Sequence, residues 1–517
     1  MKRHIAPRKA TAACKSVVLS AFILFPILAA AQTPTAPNPP SSTEERLRRL
    51  EQRQQQLEDE LRQKDAEIQQ LKNAQAQPAA GAAAAPSVAV ESKTETPTAE
   101  QPNLPAPSTP AQAGAVNPPP SPKWGRYTQG LGFTVADTDM GSMNISPYTY
   151  LRYVNQKSLD STYTNAFGTT STLQKRDDVY LNKAMIKLLG WAIDPNLRYL
   201  LYTWTNNTAG GTGQSVVVAG NLNYTFNKYF ILGGGVDGLP GARTVEGNFP
   251  NWLSVDNRQI ADEFFRPSYT YGIWARGQIT DTLRYRFMVG NNLSALGVSS
   301  AQLNNKFNTV ATALIWEPTA DYGNGYGDFE YHESISTRLA AHFTHSTEDK
   351  QSQPNTDAFS NTQIRLSDGT VVFTPNIFGP GITVTQLAFF MEDVDFGLKY
   401  KGWSLEGEYY VRQLNGFEGP GTSGLRQVDN NGFQVWLSDM VIPKTLQLYL
   451  GGSKIYGDYG NPYDTRLGVN WFPFKFKGVR WNTQVIYLDK SPVGNSTLPY
   501  ALGAKGVTFN TDFEVAL

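Results

Sequence analysis

Two arginines alternate with apolar residues in the segment TLRYRFMVG, residues 282–290. In an extended chain Arg284 and Arg286 point to one side, and the leucine and aromatic residues between them point to the other. A guanidinium group stays charged at physiological pH and binds carboxylate or phosphate through paired hydrogen bonds. These residues can therefore bind anions if their side of the strand faces water.

The same alternation recurs along the chain and predicts a set of pore-lining residues. An arginine that faces lipid near the midplane costs about 2–4 kcal/mol, so we assign the apolar faces to lipid and the charged faces to an enclosed lumen. The candidates are Arg276, Arg284, Arg286, Arg338, Arg466, Arg480, Lys183 and Lys187. An alternative interpretation pairs these cations with acids of the same faces, namely Asp395, Glu406, Glu408, Asp512 and Glu514.

Strands with polar turns must position these residues. In VDFGLKYKGWSLEGEYYVRQL the apolar parity inverts at Lys401-Gly402, which predicts a two-residue hairpin turn that pairs Tyr400 with Trp403. Aromatic residues lie near strand ends, as is typical of interfacial girdles. About sixteen such strands follow one another from Ser146 to a last strand beginning near Gly506. The prediction is an all-β fold, a transmembrane antiparallel β-barrel of about 16 strands, preceded by a short α-helical coiled coil.

The N-terminus indicates export. A basic start, an apolar run from Val17 and the small residues Ala29-Ala30-Ala31 predict a signal peptide over residues 1–31. Its removal leaves 40 basic against 45 acidic residues and no cysteine. A near-balanced charge argues against nucleic-acid binding. We expect the protein in the outer membrane, in contact with lipid, with its N-terminal segment in the periplasm.

Three further regions complete the domain organisation. Leucine and isoleucine recur at heptad spacing in residues 43–73, which predicts a periplasmic coiled coil and hence an oligomer. Residues 74–123 are rich in Ala and Pro and read as a flexible linker. Residues 124–517 form the predicted outer-membrane barrel domain.

A long glycine-rich loop is the candidate constriction of the barrel. Residues 233–267 follow a strand on the outer side, and loops of this length are usually functional or disordered. The loop either folds inward and narrows the pore or packs over the rim. Its charged candidates are Asp237, Arg243, Glu246, Asp256, Arg258, Asp262, Glu263 and Arg266. Opposed charges at a constriction would sort solutes by charge.

Signatures of enzymes are scarce in the chain. There is no Walker loop or zinc motif, and His342 and His345 match no metal spacing, so neither a metal nor a cofactor is predicted. The enzyme alternative is an outer-membrane hydrolase with a serine–histidine pair.

The chain resembles the phosphate-selective porin O and P family. The resemblance rests on ADEFFRPSYTYGIWARGQITDTLRYRFMVGNN, YKGWSLEGEYYVRQL and RLGVNWFPF within residues 146–517. The coiled coil before the barrel is similar to that of trimeric DcaP-type porins. The resemblance implies a sixteen-stranded homotrimer with an inward third loop and an arginine-lined path for anions. Phosphate selectivity in that family relies on lumen lysines, and this sequence has no compact lysine cluster.

We therefore expect a porin that forms a passive, water-filled channel for small anions such as phosphate or carboxylates. We expect a homotrimer held through the barrel and the coiled coil. One alternative is a general or weakly cation-selective porin. Another is a structural protein whose coiled coil ties the outer membrane to peptidoglycan.

Overall fold

The computed structural model describes residues 124–206, 215–247, 249–296, 298, 302–303, 306–319, 322–354, 363–494 and 498–517. The predicted signal peptide (1–31), coiled coil (43–73) and linker (74–123) lie outside the described residues.

Sixteen antiparallel strands close into one barrel within the described residues. The strands are β1 (Gly141–Asn155), β2 (Asp177–Ala192), β3 (Asp194–Asn206), β4 (Ser215–Asn227), β5 (Phe230–Gly238), β6 (Tyr269–Gln278), β7 (Leu283–Gly290), β8 (Thr309–Trp316), β9 (Ser336–Asp349), β10 (Gln386–Tyr400), β11 (Trp403–Glu418), β12 (Val428–Ile442), β13 (Leu446–Gly457), β14 (Tyr463–Trp471), β15 (Val479–Asp489) and β16 (Gly506–Ala516). The last strand pairs with the first, from Phe509 opposite Asn155 to Ala516 opposite Tyr148. The predicted antiparallel β-barrel and its sixteen strands are confirmed.

The hairpin of β10 and β11 shows how the sequence determines register. Tyr400 pairs with Trp403 across the two-residue turn, as predicted. Both turn residues have positive φ, 47° at Lys401 and 91° at Gly402, and glycine adopts this conformation without steric cost. The pairing then continues for the length of both strands, so that residues of like character share each face.

The two faces of the barrel wall differ in character. Along β10, Val394, Phe396 and Leu398 are exposed on the outside, whereas Asp395 and Lys399 are buried inside. Alternation of this kind places apolar side chains on the outside of the wall and polar side chains on the inside. The polar residues of the sequence therefore lie in the lumen.

The connections also differ between the two ends of the barrel. At the end where β1 begins and β16 ends, most turns are short: residues 228–229, 279–282, 401–402 and 443–445. We call this the short-turn end. The long connections, including 156–176, 239–268 and 490–505, lie at the opposite end, which we call the long-loop end. Residues 317–335 are the long exception at the short-turn end.

Few elements lie outside the barrel wall. Tyr127–Thr128 and Gly132–Thr138 extend the sheet before β1, and Thr162–Thr164 pairs with Thr170–Thr172 in a small hairpin. The α-helix in the described part of the chain is α1 (Ile260–Phe265), and 3-10 turns cover Arg243–Val245 and Thr422–Gly424. None of the helices described is long and apolar enough to cross a membrane.

Candidate functional site

Residues 239–268, which we call the inner loop, fold into the barrel. Inward-facing side chains of the wall donate hydrogen bonds to its backbone oxygens: Arg152 to Val255, Arg466 to Asn257 and Arg258, Asn470 to Leu253, and Arg480 to Trp252. These donors come from β1, β14 and β15, which lie four to seven strands round the barrel from β5. The peptide groups of a buried loop need such hydrogen-bond partners. The wall side chains that donate these bonds therefore hold the inner loop in place.

Each charged residue of the inner loop has an oppositely charged side chain close to it. Their partners are Glu406 for Arg243, Arg338 for Glu246, Lys183 for Asp256, Asp262 for Arg258, and Glu263 for Arg266; Asp237, at the end of β5, faces Arg276 and Arg286. The loop therefore brings little net charge into the lumen.

One group of the predicted pore-lining residues is sealed beneath the loop. Arg338 binds Asp395, Arg466 binds Asp464 and Arg480 binds Glu514, all with buried side chains. Lys183 is buried against Asp256 and also lies 4.9 Å from the ring of Phe249. These four cations serve to anchor the inner loop to the wall.

A second group of cations keeps access to solvent. The register places Arg276 opposite Arg286 and Gln278 opposite Arg284, so the three arginines share the inner face of β6 and β7. Their side chains are 19, 15 and 29% exposed for Arg276, Arg286 and Arg284. The Asp237 carboxylate lies 3.9 Å from Arg276 and 3.8 Å from Arg286, beyond hydrogen-bonding distance of both. One acid thus stands between two guanidinium groups.

Two further cations belong to this accessible side. Arg284 forms an ion pair of 2.6 Å with Glu317. Lys187 lies on the inner face of β2, opposite Tyr202 of β3, and is half-buried. No carboxylate lies within 4.0 Å of Lys187 among the residues that the structure describes. We call Arg276, Arg284, Arg286 and Lys187 the accessible cations.

Glu246, His342 and Asp395 place ligand atoms within 4.8 Å of one another. The His342 ring makes contacts through both nitrogens, 2.9 Å from Asp395 Oδ2 and 3.1 Å from the Pro240 carbonyl oxygen. Arg338 donates to both carboxylates, at 2.7 Å to Asp395 and 3.0 Å to Glu246. A guanidinium thus already binds both acids, and the cluster is an ion-pair network that holds the start of the inner loop against β9 and β10.

A second loop enters the lumen from the short-turn end. Residues 317–335, the lower loop, bury Tyr322 and Tyr326, and the Tyr322 hydroxyl donates to Glu406 at 2.6 Å. The amide of Tyr326 donates to the Asn251 carbonyl oxygen, so the lower loop meets the inner loop. Glu406 also accepts from Arg243 and from the amide of Gly327. This carboxylate therefore joins both loops to β11.

The foot of the lower loop carries an ion pair outside the barrel strands. Glu330 lies 2.8 Å from Lys477. Burial by itself would raise the pKa of Glu330, but the ammonium groups of Lys477 and Lys399 outweigh it and hold this pKa at about 2. The pair therefore stays ionised at neutral pH and fixes the loop to the turn between β14 and β15.

Apolar packing closes the long-loop end on one side. Residues 363–384, the outer loop, contribute Leu366, Val372 and Phe373 to a buried cluster that also contains Phe265 of α1 and Tyr410 of β11. Sequence reasoning missed both this cluster and the entry of the lower loop. The signal for the outer loop was its run of aliphatic residues within a polar stretch, and for the lower loop its length at the short-turn end.

No family model and no curated protein matches this chain. Solved structures similar to it include an anion-selective porin from Comamonas acidovorans, with 10% identity and a TM-score of 0.45 over 73% of this chain and 100% of that one. The outer membrane channel DcaP of Acinetobacter baumannii has 7% identity and a TM-score of 0.44, covering 74% of this chain and 99% of that chain. OmpT of Vibrio cholerae has 9% identity and a TM-score of 0.43 over 74% and 99%. Likeness at this level carries no argument about solute or assembly.

Proposed function

We propose that the protein is an outer-membrane porin, a passive channel that favours small anions. The closed barrel supports this proposal, because closure pairs every strand edge and lets strands cross a membrane. The outward face supports it too, since exposed apolar residues such as Val218, Leu450 and Leu467 line the outside of the wall. Polar side chains on the inner face of the wall, such as Asp395 and Lys399, also support it.

The anion preference rests on the Arg276–Arg286 pair. The two guanidinium groups share the distant carboxylate of Asp237, so one positive charge is in excess at an accessible point of the lumen. The four cations that anchor the inner loop are each paired with a carboxylate and add nothing to this excess. We infer that solutes move along the inner faces of β2 to β8, where the accessible cations lie.

Phosphate and carboxylates are the solute classes that guanidinium pairs bind best. A general or weakly cation-selective porin is the second candidate, and the ion pair of Arg284 with Glu317 favours it. We propose a homotrimer joined through the barrel and the coiled coil, with lipid around it. A role in tethering peptidoglycan would depend on residues 43–73.

Reversal potential in a KCl gradient across a planar bilayer tests the proposed function. We expect current carried mainly by chloride. A reversal potential of the opposite sign would contradict the anion preference and favour the second candidate. Deletion of residues 43–73 separates transport from tethering: we expect the reversal potential to be unchanged, and envelope attachment to be lost only if the tether exists.

A further inference from the structure

Arg412 differs from the other deeply buried arginines of the lumen. It lies on the inner face of β11 and is only 2% exposed. Arg152, Arg466 and Arg480 each meet a carboxylate, from Asp512, Asp464 and Glu514. Among the residues that the structure describes, no carboxylate lies within 4.0 Å of Arg412. Its positive charge has no opposite charge beside it.

The contacts of Arg412 are made with neutral groups. Its Nη2 donates to the Arg365 carbonyl oxygen at 2.7 Å and to Asn430 Oδ1 at 2.6 Å. The guanidinium carbon lies 4.0 Å from the centre of the Phe264 ring, so one face of the group is covered. The Nε atom is buried without an acceptor. Neutral carbonyl and amide oxygens thus accept some of the hydrogen bonds of this guanidinium. Its charge is not paired with a carboxylate of the described residues, and its Nε–H group has no acceptor.

A small cavity adjoins this guanidinium beneath the outer loop. Arg412 lines it together with Arg266 and Arg365, and the apolar walls come from Phe264 and Phe389. The cavity holds about one water-sized particle. It lies between α1, β11 and the outer loop, where three cations converge.

The acid at this cavity is already committed. Glu263 binds Arg266 at 2.7 Å and Arg258 at 3.4 Å. Arg365 donates to the Gly369 carbonyl oxygen and to Gln363, both at 2.8 Å. Burial lowers the pKa of Arg365 to about 10, with the Asp368 carboxylate opposing the shift. Glu263 therefore has cationic partners other than Arg412.

We propose that this cavity is a chloride site, in which the ion lies against the guanidinium of Arg412 and balances the buried charge. A buried unpaired charge is strongly unfavourable, and a bound counter-ion removes that penalty. The small volume selects a monatomic anion over phosphate or a carboxylate. The ion would stay bound and link the outer loop to β11, so this site is separate from the proposed path of solutes and does not depend on it.

Two measurements on the full chain in detergent test the site. Crystals grown in bromide should show an anomalous peak in this cavity, beside the guanidinium of Arg412. The unfolding temperature should rise by up to about 2 °C for each tenfold increase in chloride at constant ionic strength with gluconate. No bromide peak together with an unfolding temperature that ignores chloride would overturn the proposal.

Substitution separates a specific site from a general effect of salt. Arg412→Met keeps the length of the side chain and removes the charge, so this variant should lose the response to chloride and should still fold. Arg466→Met is the matched control, because Arg466 is equally buried but paired with Asp464. It should be less stable at every chloride concentration and keep the response. An equal response of Arg412→Met and the unmodified chain would contradict a site at Arg412.

Discussion

Asp237→Asn is the substitution that most sharply tests the excess charge on the accessible wall. Asp237 is the only carboxylate within 4.0 Å of both Arg276 and Arg286 in the described part of the chain. Its neutralisation leaves two guanidinium charges where one was balanced. The amide side chain has nearly the same volume, so the change is one of charge.

The size of the effect follows from the Coulomb energy. A unit charge about 6 Å from a passing monovalent ion is worth about 0.7 kcal/mol at the dielectric constant of water. This energy is about a threefold change in the local concentration of each ion, upward for anions and downward for cations. The permeability ratio of chloride to potassium should therefore rise about tenfold without screening. At 0.1 M salt, with a screening length of about 10 Å, we expect about threefold.

The assay is the reversal potential of Asp237→Asn at 0.1 M and at 1 M mean salt. The shift toward anions should be clear at the lower concentration and nearly vanish at the higher one, where screening acts over about 3 Å. Asp281→Asn is the control, since Asp281 has the same charge but lies exposed beside Lys228 at the short-turn rim. An unchanged permeability ratio in Asp237→Asn at 0.1 M, with the barrel intact, would refute the reasoning.

Three other predictions concern the loops and the wall. Glu406→Gln should free both the inner and the lower loop, because Glu406 accepts hydrogen bonds from Arg243, Tyr322 and Gly327. Single-channel recordings should then show a larger and noisier conductance. A conductance identical to that of the unmodified chain would argue against a role of this carboxylate in joining the two loops. The lowered pKa of Glu330 contributes stability above the usual Glu pKa of 4.5, and this stability is lost as the pH falls toward about 2. Lys477→Gln should therefore reduce the part of acid destabilisation, up to about 3 kcal/mol, that occurs in this range of a pH-dependent unfolding titration, with Lys399 still in place. Gly233→Ala should destabilise the barrel by about 1–3 kcal/mol in denaturant unfolding, because the added Cβ would lie 2.4 Å from the Trp274 ring. The control is Gly234→Ala, whose added Cβ would have its nearest neighbouring atom at 3.7 Å, and it should be close to neutral.

The strands could be predicted from the sequence because their information is local. The alternation of apolar and polar residues sets the two faces, and a tight turn such as Lys401-Gly402 sets the register of its hairpin. The last strand begins at Gly506, as predicted, and β11 begins at Trp403 after the predicted turn. The largest difference is at β1, which starts at Gly141 because the strand Gly132–Thr138 continues to pair with it beyond the barrel rim.

The contents of the lumen could not be predicted in the same way, because the partners are far apart in sequence. Arg338, Arg466 and Arg480 show a charged face in the sequence, but nothing local indicates that they bind carboxylates beneath a loop. Glu406 and Tyr322 meet across 84 residues. Such contacts depend on the path of the loops in three dimensions, which alternation does not encode. The same holds for Arg412, which has no carboxylate within 4.0 Å among the residues that the structure describes.

The location of the solute path is the central claim, and cysteine accessibility tests it most directly. The predicted mature chain has no cysteine, because Cys14 lies in the signal peptide, so a single introduced thiol reports on one position. We expect a negatively charged methanethiosulfonate reagent to block current rapidly in Arg286→Cys, on the accessible wall, and to leave Arg480→Cys, beneath the inner loop, unmodified on the same time scale. Rapid block at Arg480→Cys with none at Arg286→Cys would contradict the path along β6 and β7.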